Sequence, residues 1–141
     1  MKQNVVLSIR GRQSYLDQEP EIIELVTEGV MEKLDDGWSL TYEESDLTGL
    51  AGVTTDFKIE PQKVTLTRTG RLNSQMVFQV GVVHESLYQV EFGALMISVM
   101  ASRVDWDLSQ ESGGTVDLVY AIEIEQSAAG VIDYHLEITP Q

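Results

Sequence analysis

Residues 115–125 read Thr115-Val116-Asp117-Leu118-Val119-Tyr120-Ala121-Ile122-Glu123-Ile124-Glu125. Val116, Leu118, Tyr120, Ile122 and Ile124 fall on one side of an extended chain, with Thr115, Asp117, Glu123 and Glu125 on the other. Successive side chains of a strand point to opposite faces, so the segment predicts a half-buried β-strand. After a turn expected at Ser127-Ala128-Ala129-Gly130 the alternation resumes, with Ile132, Tyr134, Leu136 and Ile138 against Asp133, His135, Glu137 and Thr139. Two such runs joined by a short connection predict an antiparallel hairpin.

The same period recurs on the N-terminal side. Val5, Leu7 and Ile9 share a face, as do Trp38, Leu40 and Tyr42, then Val53, Thr55, Phe57 and Ile59, then Val64, Leu66 and Arg68 before Gly70. Met76, Phe78 and Val80 follow, then Tyr88, Val90 and Phe92, then a long strand from Ala94 towards Trp106. One segment departs from the pattern. From Pro20 to Leu34, the residues Ile22, Ile23, Val26, Val30 and Leu34 recur at helical spacing, and periodicity alone favours a helix that only Gly29 opposes. Nine or ten hairpin-connected strands with one apolar face must cover that face and hide their edges, and closing the sheet on itself does both. The expected fold is therefore all-β, one antiparallel meander barrel over residues 1–141, with a two-sheet sandwich as the competing arrangement. A barrel of this strand number fills its interior with side chains or holds one small ligand.

Composition narrows the function. Nine Lys+Arg against 23 Asp+Glu give a formal charge of −14, which repels phosphate backbones and anionic lipid surfaces, so neither nucleic acid nor membrane is an expected partner. The absence of cysteine excludes a disulfide framework, a thiolate zinc site and a cysteine nucleophile, and suits a reducing cytoplasm. The apolar run near the start is short and ends in Arg10 and Arg12, which does not fit a secretion signal, and Ala94 to Ala101 falls far short of a membrane span. A cytoplasmic location is expected.

Further residues carry a family likeness. Tyr42-Glu43-Glu44-x-Asp46-Leu47, then Lys58, Arg68-x-Gly70, Phe78 with Gly81, Tyr88-x-x-x-Phe92-Gly93 and Tyr120, together with Thr27-x-Gly29 after Ile23-Glu24, resemble the YwiB-like family of bacterial proteins of unknown function. The likeness spans nearly the whole chain. It implies a lipocalin-like (calycin) barrel and a long β-strand from Glu21 to Leu34 in place of the helix. It implies no activity, catalytic residue or cofactor, and the contiguous Gly37-Trp38 is not the Gly-x-Trp of the lipocalins proper.

Arg68 is the most informative single residue. The parity of Val64 and Leu66 aims it at the apolar face, where an unpaired guanidinium costs several kcal/mol. Either it pairs internally with Glu44, Asp46, Thr55 or a tyrosine, or it meets a ligand carboxylate or phosphate inside the barrel. Tyr42, Phe78, Tyr88, Tyr120 and Tyr134 share the inward parity, as packed core or as cavity walls. The expected ligand-binding set is Arg68, Tyr42, Phe78, Tyr88 and Tyr120, around a small amphipathic or anionic molecule.

Catalytic signatures are missing. Glu43, Glu44 and Asp46 crowd one strand end and would make an acid-dependent hydrolase only if they converged. Asp105 and Asp107 lack the glycine-containing loop of a calcium site, and His84, placed in the connection from Gly81 to Ser86, is too far from His135 to build a zinc or Ser-His centre. The expectation is a non-enzymatic protein without metal or cofactor. The competing class is a protein-interaction module using an outer face or the acidic surface. Oligomeric state is not legible.

Overall fold

The computed structural model describes residues 2–14, 19–44, 51–90, 93–125 and 127–141. Its ten strands are β1 (Lys2–Ser14), β2 (Glu21–Lys33), β3 (Trp38–Glu43), β4 (Val53–Ile59), β5 (Val64–Gly70), β6 (Ser74–Phe78), β7 (Val83–Val90), β8 (Gly93–Ser109), β9 (Gly113–Ile124) and β10 (Ser127–Pro140). They form one sheet in the order β6-β5-β4-β3-β2-β1-β10-β9-β8-β7, in which every ladder is antiparallel. Each strand therefore lies beside its sequence neighbour, and β1 pairs with β10 to turn the meander into a nearly closed barrel. No helix occurs among the described residues.

The seam lies between β6 and β7. There the backbones of Asn73 and Gln89 exchange two hydrogen bonds of 2.9 and 2.8 Å, and the Gly81 N–H donates to the Ala101 carbonyl at 3.1 Å. Further down, the Trp106 Nε1–H donates to the Glu60 carbonyl at 3.0 Å, tying β8 to the connection between β4 and β5. Single bridges replace a ladder, which is why the barrel is nearly closed.

The segment from Pro20 to Leu34 is a strand. Ile22, Val26 and Val30 are four residues apart, which places them on one face of a helix and equally on one face of a strand, because four is also an even number. Pairing decides between the two: β2 runs against β1 from Lys2↔Glu32 to Gln13↔Glu21. Ile22 and Val26 then project outward, 52% and 69% exposed, while Leu25 and Met31 point into the core. Gly29 has a steric reason to be there, since a Cβ at this position would lie 2.7 Å from the Thr41 carbonyl oxygen and 2.9 Å from Leu7 Cδ1.

Two local expectations are corrected. The β9–β10 connection is tighter than Ser127–Gly130: β10 already begins at Ser127, Glu125 takes a positive φ of 51°, and the small residues instead carry a register shift between Ala128 and Gly130. β7 begins at Val83, so His84 belongs to a strand rather than a connection; its Nε2 lies 3.2 Å from Gln79 Oε1.

The interior has two unlike halves. At the end formed by the start of β1, β3, β5 and β9 and the finish of β2, β4, β6 and β10, Val5, Met31, Ile59, Val64, Phe78 and Val116 are each at most 1% exposed. That half is a solid apolar plug, the main source of hydrophobic stabilisation. The other half is hollow.

Candidate functional site

The hollow half is a cavity of about 440 Å³ lined by β1, β2, β3, β5, β6, β7, β8, β9 and β10. Its polar wall is built by register. Tyr42 pairs with Thr55, Thr55 with Arg68 and Arg68 with Ser74, so four neighbouring strands contribute one inward-facing row. Directly opposed residues of antiparallel strands share a face, and the inward parity of Leu40, Phe57, Leu66 and Met76 carries this row inward as well.

Glu44, just past β3, reaches over the row. Its side chain is 2% exposed, accepts a hydrogen bond from Thr55 Oγ1 at 2.6 Å, and stands 3.8 Å from Arg68 Nε. That separation makes an ion pair without a hydrogen bond at Nε. Arg68 Nε and Ser74 Oγ, on directly paired residues, are both buried and both without a hydrogen-bond partner among the described residues. Of these two residues only Arg68 lines the cavity; Ser74 lies outside the lining.

Tyrosines complete this wall. The Tyr42 and Tyr134 hydroxyls lie 3.4 Å apart, and both rings pack on Phe57, with centroids 6.5 and 6.0 Å away. Burial pushes the Tyr42 phenol up to about 12 and raises those of Tyr120 and Tyr134 too, so all three are neutral hydrogen-bonding groups near neutral pH. Apart from Gln13, the rest of the cavity is largely apolar, with Leu25, Met76, Ile97, Ile122 and Ile132 as its sleeve. At its opening Ile23, Leu95 and Ile124 are 51%, 43% and 36% exposed. The Arg68–Glu44 pair thus lies deep, and the lip is greasy on β2, β8 and β9, with Gln13 on β1.

Of the residues anticipated from sequence, Tyr42, Arg68, Tyr88 and Tyr120 line the cavity. Phe78 does not: it is fully buried in the plug, its ring 4.5 Å from that of Tyr120, which it supports from behind. Tyr134, whose inward parity was legible, belongs to the lining, as do Gly11 and Gln13, which continue the parity of Val5, Leu7 and Ile9. Ser74 shares the inward parity of Met76, two residues on, but is buried outside the lining. Glu43 and Glu44 point to opposite faces, Glu43 being exposed and bonded to Thr54 Oγ1 at 3.0 Å, so these two do not converge; Asp46 lies outside the described residues. Asp105 binds Arg103 Nε at 2.7 Å on the outer surface. His135 is also outward, between Asp117 Oδ1 at 2.5 Å and Glu137 Oε1 at 3.3 Å, which raises its pKa. Among the described residues no group of three or more acidic or histidine side chains is arranged to hold a metal ion.

Fold and cavity together define a small up-and-down β-barrel, solid at one end and hollow at the other. The chain belongs to the family described as "Domain of unknown function (DUF1934)", whose model matches residues 7–138. Its fold is similar to the crystal structure of the YwiB protein from Bacillus subtilis, with a TM-score of 0.88 at 20% sequence identity, over 99% of this chain and 93% of that one. No curated protein matches the sequence.

Proposed function

We propose that this protein binds a small amphipathic molecule inside the hollow half of its barrel. The observation that carries the reading is a roughly 440 Å³ space whose mostly apolar lining gathers the largely buried Arg68 guanidinium, the Glu44 carboxylate and the Tyr42 and Tyr134 phenols on one wall. A volume of this order is typical of small-molecule sites, which combine a mostly apolar lining with a few placed polar groups. The apolar lip formed by Ile23, Leu95 and Ile124 gives a hydrophobic tail continuous contact to the opening.

Gly11 supplies the test. It lines the cavity, and a Cβ added there meets only Tyr134 Cδ2 and Cε2, at 3.5 and 3.7 Å, which is ordinary contact. Gly11→Leu should fold and occupy the space. Displacement of a fluorescent amphiphile, with native mass spectrometry of protein purified without denaturation, should show binding to the wild type that Gly11→Leu abolishes. A wild-type protein that takes up no amphiphile ends the proposal.

A second reading has its own observation. On the outer face Val83 pairs with Met100 and Leu87 with Met96, and these four side chains are 37–59% exposed. Glu85 and Glu123 lie beside Val83 and Met100 on a chain of formal charge −14, which fits a basic amphipathic segment of another protein. Such a partner should bind more weakly as salt rises and fail to bind Met100→Glu, with the cavity unaffected.

A further inference from the structure

Arg68 is already charge-balanced. Glu44 Oε2 stands 3.8 Å from its Nε, both side chains are largely buried, and Thr55 holds the carboxylate in place with a 2.6 Å hydrogen bond. Among the described residues, the other titratable side chains along the polar wall are the phenols of Tyr42, Tyr120 and Tyr134. One formal positive and one formal negative charge therefore face the same space. An anionic head placed against Arg68 would also stand near Glu44, leaving an uncompensated negative charge out of water, and a cationic head would leave the opposite excess. An uncharged head avoids both.

The donors and acceptors suit such a head. Arg68 brings a guanidinium, a fork of N–H donors, to the cavity wall, and Glu44 beside it a carboxylate that accepts. The Tyr42 and Tyr134 hydroxyls, 3.4 Å apart, offer neutral groups of both kinds. From this juxtaposition we infer that the ligand is a neutral amphiphile, a long-chain alcohol, amide or ester, whose head lies against Arg68 and the Tyr42 and Tyr134 hydroxyls and whose tail runs past Leu95 and Ile124 to the opening. The inference rests on the cavity being a binding site, and it replaces the anion that Arg68 by itself suggests.

The test is a series with one chain length and four heads: decanol, decanamide, decanoate and decylamine, competed against a bound fluorescent amphiphile at about pH 8, where the carboxylate is ionised and the amine protonated. Decanol and decanamide should bind, with decanoate and decylamine weaker by on the order of tenfold or more. Glu44→Gln, which keeps the shape and can still accept from Thr55, should raise decanoate affinity relative to decanol by on the order of tenfold. Decanoate binding wild-type protein as well as decanamide, or Glu44→Gln failing to shift the ratio, overturns the neutral-head inference while leaving interior binding intact. The wild-type ranking decides the matter even if Glu44→Gln does not fold. No binding by any of the four removes both proposals.

Discussion

Truncating Phe78 to alanine tests the division of the barrel into a solid and a hollow half. Phe78 is fully buried, and its ring lies 4.5 Å from that of Tyr120. Removing it opens a void among residues that are themselves closely packed, and such Phe→Ala changes cost about 3–5 kcal/mol. The chain has 141 residues. For that size each kcal/mol lowers the melting temperature by about 4 °C, so a fall of about 12–20 °C is expected. Tyr88 is the control. It is inward-facing and aromatic too, but only half-buried and at the wall of an existing cavity. Its truncation enlarges a space already open to solvent, and about 1 kcal/mol or less is expected. Thermal and urea unfolding of both variants, followed by circular dichroism, compares the two costs directly. Equal costs, or a larger one for Tyr88→Ala, would refute the assignment of stability to the plugged end.

Three other expectations follow from particular side chains. Gly29→Ala forces a Cβ to 2.7 Å from the Thr41 carbonyl oxygen, and the overpacking should cost about 1–3 kcal/mol in denaturant titrations, whereas Gly11→Ala, with only ordinary contacts, should be nearly neutral. In alkaline spectrophotometric titration, Tyr42, Tyr120 and Tyr134 should stay un-ionised at about pH 10, where an exposed tyrosine is half-ionised, because burial raises all three. The hydrogen bond to Asp117 raises the His135 pKa above its ordinary 6.5 against the opposing effect of partial burial, with Glu137 adding to the rise. The stability it contributes should be fully present below about pH 6.5 and fade as pH climbs through the raised folded value, so the wild-type advantage over His135→Gln should shrink from pH 6 to pH 8.

Alternation made most of this barrel legible. Tyr42, Arg68, Tyr88, Tyr120 and Tyr134 could all be aimed inward by counting in twos from apolar neighbours, because a strand gives each side chain only two directions. Counting could not tell a lining residue from a packed one. Phe78 and Tyr88 share that parity, yet one lies in the plug and the other at the cavity, since depth along the barrel axis depends on how each strand is offset from its neighbours.

The amino-acid pattern by itself determined an all-β chain with one greasy face, a hairpin at its C-terminal end and a guanidinium on the wrong side of the sheet for water. Tertiary structure decided the rest. It made Pro20 to Leu34 a strand, because four-residue spacing is common to both periodicities and only twelve paired positions with β1 break the tie. It brought Glu44 to Arg68 across strands that alternation reads one at a time. It also left half the interior empty, because the space inside a closed sheet depends on how many strands surround it and how they are staggered, which no single strand encodes.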